Sequence, residues 1–217
     1  MILYGSSFSP FVRKVLAYAA QRNITLEHTQ ISLQAAPPEF YEASPFKKMP
    51  AFSDGAFAIS DSTAIITYLE AKLPDGALLP ADPALRARAI WFEEFADTIM
   101  SQVVFKCFFQ RVVRPLFLNQ PTDEDVAMQG ETVDLPPILD YLESVAPSAG
   151  GFLLGEHITL ADIAVASPLV NYDHAGVVID GAKYPKAKAW AEAMLAHPCF
   201  AAGVAKERAV LDGIRNK

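Results

Sequence analysis

Four short stretches of the 217-residue chain set polar, ionisable or proline residues where chemistry is possible. Ser6-Ser7-Phe8-Ser9-Pro10-Phe11 lies between an apolar strand signal, Ile2-Leu3-Tyr4, and the start of a helical repeat. A hydroxyl there stands beside free helix N–H groups, whose partial positive charge favours an anion. The same placement also suits a plain N-cap. Lys47-Lys48-Met49-Pro50 precedes the strand signal Ala51-Phe52-Ser53. Proline cannot donate to a ladder, so it belongs at the strand start or in a special turn. A cis bond would turn the Met49 backbone outward to a ligand; an ordinary trans proline with two solvated lysines is the other reading. Asp61-Ser62 opens a third helix. Both types cap helices, yet Asp61 could also hold an ammonium while Ser62 and the helix end hold a carboxylate, which together read an α-amino acid head.

The fourth stretch, Gly155 to Asp162, is structural. Thr159 with Asp162 three residues later forms a capping-box pattern, and Ile158 is placed to staple against Ile163. Other tempting groups carry less. Glu93, Glu94 and Asp97 share about one helical turn without a histidine, which fits a solvated or dimer-facing edge better than a metal site. His28, His157, His174 and His197 show no H-E-x-x-H spacing. Cys107 and Cys199 make neither a disulfide framework nor a CxxC pair, so no metal is expected and a reducing, cytoplasmic setting fits. No G-x-S-x-G elbow accompanies the serines, which argues against a serine hydrolase. Phe105, Phe108 and Phe109 cannot all face one side of a helix, so they divide between core and an apolar pocket.

The elements that must position these groups follow from periodicity. Phe11, Val15 and Ala19 recur every four residues, with Val12 and Leu16 beside them, and Pro10 suits the first turn. Leu26 to Ile31 reads as a second strand, and Pro37-Pro38 opens a short helix through Ala43. Asp54-Gly55 marks a hairpin between Ala51–Ser53 and Phe57–Ile59, and Ser62 to Lys72 is helical. The order is βαβ, then ββα. Leu73-Pro74-Asp75-Gly76 and Pro80 to Pro83 break the pattern. Beyond them the chain reads as all helix: a run over 85–118, another over 123–145 that Pro136-Pro137 should bend or interrupt, then 159–172, 185–196 and 198–211.

Composition bounds the rest. At 52% hydrophobic and 20% charged residues the chain can bury a core and is not disordered. The net charge of −7 sits mostly beyond residue 80, so no basic field exists for nucleic acid. No apolar stretch has the length a membrane span requires, and the N-terminus lacks the basic region of a signal peptide.

Taken in order, Ser9-Pro10-Phe11-Val12-Arg13, Ser44-Pro45-Phe46-Lys47-Lys48-Met49-Pro50, Ser60-Asp61-Ser62-Thr63-Ala64-Ile65 with Tyr68-Leu69, and Gly155 to Asp162 resemble the cytosolic glutathione transferases over essentially the whole chain. The resemblance implies an α/β thioredoxin-like N-terminal domain, residues 1–75, that binds glutathione. It implies an all-α C-terminal domain, residues 85–217, with the electrophile pocket facing the first. It also implies a homodimer, glutathione as co-substrate and a small hydrophobic electrophile as partner. Carried over by position, Ser9 is the catalytic hydroxyl facing the sulfur, of the serine type. Met49 offers its backbone to the cysteinyl part beside cis-Pro50, Asp61 and Ser62 hold the γ-glutamyl head, and Lys48 with Lys47 meets the glycine carboxylate. Phe8, Phe11, Phe105, Phe108, Phe109 and Tyr172 are the residues expected to wall the electrophile, with Arg111 or Arg114 set to balance a polar or anionic group.

Three functions fit that resemblance. The first is conjugation of, or displacement on, small electrophiles. The second is a glutathione-dependent isomerase, or a reductase or peroxidase, on the same fold. The omega-type reductases resemble this loop with a cysteine where Ser9 stands, and the zeta-type isomerases carry Ser-Ser-Cys-Ser, with cysteine where Phe11 falls. The third is a non-catalytic binding protein, against which the intact Ser9, Pro50, Asp61 and Ser62 argue.

Overall fold

A computed structural model of the chain describes residues 1–32, 35–148 and 150–216. The chain divides into two compact units, Met1–Leu79 and Pro80–Lys217.

The first unit is a thioredoxin-like α/β layer. Strand β1 (Ile2–Tyr4) leads into helix α1 (Pro10–Gln21), β2 (Glu27–Thr29) and α2 (Pro38–Ala43). The hairpin β3 (Ala51–Asp54) and β4 (Phe57–Ser60) then leads into α3 (Ser62–Lys72). The sheet order is β2-β1-β3-β4, with β1 parallel to β2 and antiparallel to β3. The hairpin turns at Gly55, whose φ of 60° suits a residue without a Cβ. Strand β2 is shorter than the strand reading over 26–31 suggests. It lies at the sheet edge and pairs only with the three residues of β1, which Gly5 ends. Ile31 still packs inward, beside Tyr4, Phe40 and Ala51.

Helices α1 and α3 are tied by a buried polar group. The Tyr18 hydroxyl donates to Glu70 Oε1 at 2.8 Å, and Arg22 donates to that hydroxyl and to the Leu73 carbonyl. Leu78 N also donates to Glu70 Oε1, at 2.8 Å. Burial first, then the bond to Glu70, pushes the Tyr18 pKa well above the usual phenol range. Such a group holds together only when complete, since losing one partner strands the others away from water.

The second unit is all helical among the described residues. Helix α4 runs without a break over 83–117, with π turns at Phe95–Met100 and Phe109–Val113. Helix α5 covers 124–145, with a π turn at Gly130–Asp134. Pro136 and Pro137 therefore do not interrupt it. A proline removes an N–H and crowds the carbonyl four residues back, and the wider turn just ahead accommodates both. Helices α4 and α5 approach closely at Gly130, where a Cβ would stand 2.7 Å from Lys106 Cβ and 3.0 Å from Cys107 Sγ. Helix α6 (Leu160–His174) is buried on nearly every side, and α7 (Pro185–Ala196) and α8 (Pro198–Arg215) complete the unit. No described helix is long and apolar enough to cross a membrane.

Candidate functional site

Strand register brings three of the singled-out stretches to one end of the sheet. Tyr4, the last residue of β1, pairs with Ala51, the first of β3, and Ala51 pairs with Ser60, the last of β4. The serine loop follows Tyr4, the Lys47–Pro50 segment precedes Ala51, and Asp61 follows Ser60. The segments also touch. Ser6 N donates to Met49 Sδ at 3.3 Å, and Asp61 N donates to Pro50 O at 3.2 Å. The N-termini of α1 and α3 both open at this end.

Ser9 is the N-cap of α1. Its Oγ accepts from Val12 N at 3.5 Å, and Pro10 fills the first helical position. A hydroxyl that accepts in this way keeps its own hydrogen for donation. Ser6 is engaged differently: its Oγ accepts from Phe8 N at 3.4 Å and from Gln30 Nε2 at 3.1 Å. The Ser7 amide donates to Gln30 Oε1 at 3.1 Å.

The Met49–Pro50 bond is cis. Asp61 has φ 86° and ψ 127°, in a region that costs an L-residue about 1–3 kcal/mol. Its Oδ1 accepts from Ala64 N at 3.0 Å, capping α3, so Oδ2 remains to accept from an ammonium. Asp61 is exposed, whereas Ser62, the first residue of α3, is buried. Lys47 and Lys48 are both exposed, and Lys47 Nζ lies 5.9 Å from the centre of the Tyr41 ring. Their segment is fixed from below by Ser44, fully buried, whose Oγ accepts from Lys48 N at 2.9 Å and donates to Lys48 O at 2.6 Å.

Ser44, His28 and Gln30 bond these segments, and the sequence alone gives none of the three a role. Ser44 had one signal, a serine directly before a proline where a turn is needed. His28 and Gln30 had none, because their partners lie more than twenty residues away.

The second unit holds the other named side chains. Tyr172 is buried and its hydroxyl donates to Met100 O at 2.8 Å. Arg111 is held by Glu124, with Nη2 to Oε1 at 2.6 Å, and by Glu131, with Nη1 to Oε2 at 2.6 Å. The bond to Glu124 raises its pKa above even the usual guanidinium value. Tyr172 thus links α6 to α4 inside the core, and Arg111 is engaged by two carboxylates of α5. Arg114 Nη1 bonds Gln110 Oε1 at 3.0 Å. Phe108 is buried, 6.4 Å from the ring of His174, while Phe105 is 60% and Phe109 37% exposed. Phe8 and Phe11 are half-buried. The capping box is present: Asp162, fully buried, accepts from Thr159 N at 2.9 Å, Thr159 Oγ1 at 3.0 Å and Leu153 N at 2.7 Å. No three described His, Cys, Asp or Glu residues cluster so as to hold a metal ion.

Residues 3–76 match the family model for the glutathione S-transferase N-terminal domain, and residues 125–193 match that for the C-terminal domain. Over 193 residues the chain is 30% identical to glutathione S-transferase theta-3 of Mus musculus, covering 87% of this chain and 79% of that one. The chain belongs to the glutathione S-transferase family. A glutathione S-transferase of Hyoscyamus muticus is 29% identical over 217 residues, 94% of this chain and 97% of its own. A solved glutathione S-transferase III, in apo form, is 31% identical with a TM-score of 0.77, covering 94% of this chain and 95% of that one. The thioredoxin-like sheet followed by an all-helical part is thus the glutathione S-transferase fold.

Proposed function

We propose that this chain binds glutathione at the Ser9–Asp61 end of the sheet, stabilises its thiolate and adds it to small apolar electrophiles. One observation carries the reading. Two helix N-termini, a serine hydroxyl with a hydrogen to give and an acidic cap meet where β1, β3 and β4 end in register. Glutathione brings an ammonium, two carboxylates and a thiol. The ammonium goes to Asp61. Its neighbouring carboxylate goes to the α3 N-terminus at Ser62. The cysteinyl backbone pairs with Met49 ahead of Pro50, and the glycine carboxylate goes to Lys48 and Lys47.

The sulfur goes to Ser9. A cysteine thiol with a pKa of about 8.5 is only a few per cent ionised at neutral pH. Lowering that pKa by about two units needs about 2.7 kcal/mol in favour of the thiolate. A charge-assisted hydrogen bond contributes about 1.5–3 kcal/mol, and the α1 dipole adds to it. Ser9 therefore acts as a donor to the thiolate and not as a base. With an activated aryl halide the sulfur lone pair forms the C–S bond and the carbon–halogen bond breaks. Halide leaves as the anion, and the thiol proton has already passed to solvent. Phe8 and Phe11, close to Ser9 in sequence and half-buried, are proposed to offer apolar surface to the electrophile. A homodimer acting in the cytoplasm completes the proposal.

The test is turnover of glutathione with a panel of activated aryl halides, epoxides and enones. Formation of the thioether conjugate, identified by mass, with saturation in glutathione supports the reading. Tight glutathione binding with no conjugate from any of them would leave a binding protein in its place.

A further inference from the structure

Strand β2 contributes more than an edge to the sheet. His28 and Gln30 stand two residues apart on it and its continuation, and so share one face. Both reach the serine loop. His28 Nε2 lies 2.9 Å from Gly5 O, Gln30 Oε1 accepts from Ser7 N at 3.1 Å, and Gln30 Nε2 donates to Ser6 Oγ at 3.1 Å. Between them Gly5 N donates to Thr29 O at 3.1 Å. From Ser6 the order passes directly to Ser9, whose amide donates to Ser6 O at 2.9 Å. The Ser6 amide itself donates to the Met49 thioether, and sulfur is a weak acceptor.

We infer that Gln30 is a positioning residue for glutathione activation: its amide clips Ser6 and Ser7 and thereby fixes the Ser9 hydroxyl. This rests on the thiolate role proposed for Ser9. Gln30 is exposed and sits at the sheet edge, so no core packing calls for it. Its two bonds, one as acceptor and one as donor, match the two chemically different groups the loop presents, a backbone N–H and a hydroxyl oxygen. Nothing in the geometry asks Gln30 to touch the sulfur. Its effect passes through the place of the Ser9 hydroxyl, and a donor that wanders gives part of its stabilisation away.

The experiment is a double-mutant cycle read by the ultraviolet absorbance of bound thiolate against pH. Parent, Gln30→Met, Ser9→Ala and the double variant are compared; methionine keeps the length of the stem and removes both hydrogen bonds. Gln30→Met should raise the thiol pKa of bound glutathione by about half a unit, the worth of one ordinary hydrogen bond. It should lower kcat at neutral pH about threefold for an aryl halide whose chemistry is limiting, with KM for glutathione unchanged. The double variant should titrate like Ser9→Ala alone, since a residue acting through Ser9 has nothing left to place. A further half-unit rise in the double variant, or no rise in Gln30→Met while Ser9→Ala shifts, overturns the inference and leaves the thiolate proposal standing. If Ser9→Ala itself does not shift, the thiolate proposal fails and this inference with it.

Discussion

At the scale of single residues, the helix cap of Asp61 and the ammonium-binding role proposed for it can be separated. Its Oδ1 caps α3 through Ala64 N, and the proposal gives its charge to an ammonium. Asparagine caps as well as aspartate but is neutral. Asp61→Asn should therefore leave the melting temperature within about a degree and weaken glutathione binding roughly tenfold, the loss expected for a charge-assisted bond of about 1.5 kcal/mol. Titration calorimetry beside thermal melting checks this; a lower Tm with unchanged affinity would reduce Asp61 to a cap. The cysteines make the opposite case. Burial pushes Cys107 up to about 11 and Cys199 up to about 12, so both stay protonated at neutral pH. An aromatic disulfide reagent should label the native chain at least about a hundredfold more slowly than the unfolded chain. Equal rates would show that the thiols are accessible. Ser9, Asp61 and Pro50 were legible in the sequence because each is a local signal, a cap before an apolar repeat or a proline before a strand. Gln30 and Arg111 were not legible. Their roles depend on partners such as Ser6 and Glu131 that the fold brings near, and an unplaced arginine looks available for a substrate until its carboxylates are seen.

At the scale of elements, the periodic helices were read nearly to their ends: 185–196 coincides with α7, and the run 85–118 is α4, which begins two residues earlier. The structure departs from these readings at β2, cut short because β1 gives it only three partners, and at Pro136-Pro137, where of a bend or an interruption the interruption does not occur and a π turn precedes the prolines. The start of α6 offers the clearest stability prediction. Asp162 satisfies three donors in a site closed to solvent. Asp162→Ala leaves them without a partner and should cost about 2–3 kcal/mol, lowering Tm by about 5–8 °C, with glutathione affinity nearly unchanged in the protein that remains folded. The reverse pattern would place Asp162 in the ligand site. The hairpin offers a test by pH. Lys72, and then Tyr68, donate to Asp54 and hold its carboxyl below the usual carboxylate range. A depressed folded-state pKa gives stability that is present above the ordinary value and is lost as pH falls through the lower one. Lys72→Met should flatten the acid limb of the stability curve, followed by urea melts from neutral pH downward. An unchanged limb would show that the pair contributes nothing, as many exposed pairs do.

At the scale of the whole molecule, α4 exposes Trp91, Ile99 and Phe105 at 44%, 47% and 60%. Trp91 stacks on Phe95 at 5.4 Å between ring centres and meets the Tyr141 ring edge-on at 5.2 Å. Large apolar side chains left on one helix of a monomer fit burial against a second copy. Sedimentation at micromolar concentration should give twice the chain mass of 23.6 kDa, and Trp91→Glu should shift the distribution toward the single chain. A parent sedimenting at the mass of one chain would contradict the homodimer.

The activity proposed for the whole protein turns on one hydroxyl, and its most direct measurement is the pH titration of glutathione's thiolate bound to the parent and to Ser9→Ala, Ser6→Ala and Ser7→Ala. Bound to the parent, glutathione should ionise about two units below its free value. Ser9→Ala should raise that by about one to two units, or about 1.4–2.7 kcal/mol of thiolate stabilisation, while the other two variants change it much less. If all four titrate alike, or if the shift follows Ser6 or Ser7, Ser9 is not the group that activates glutathione.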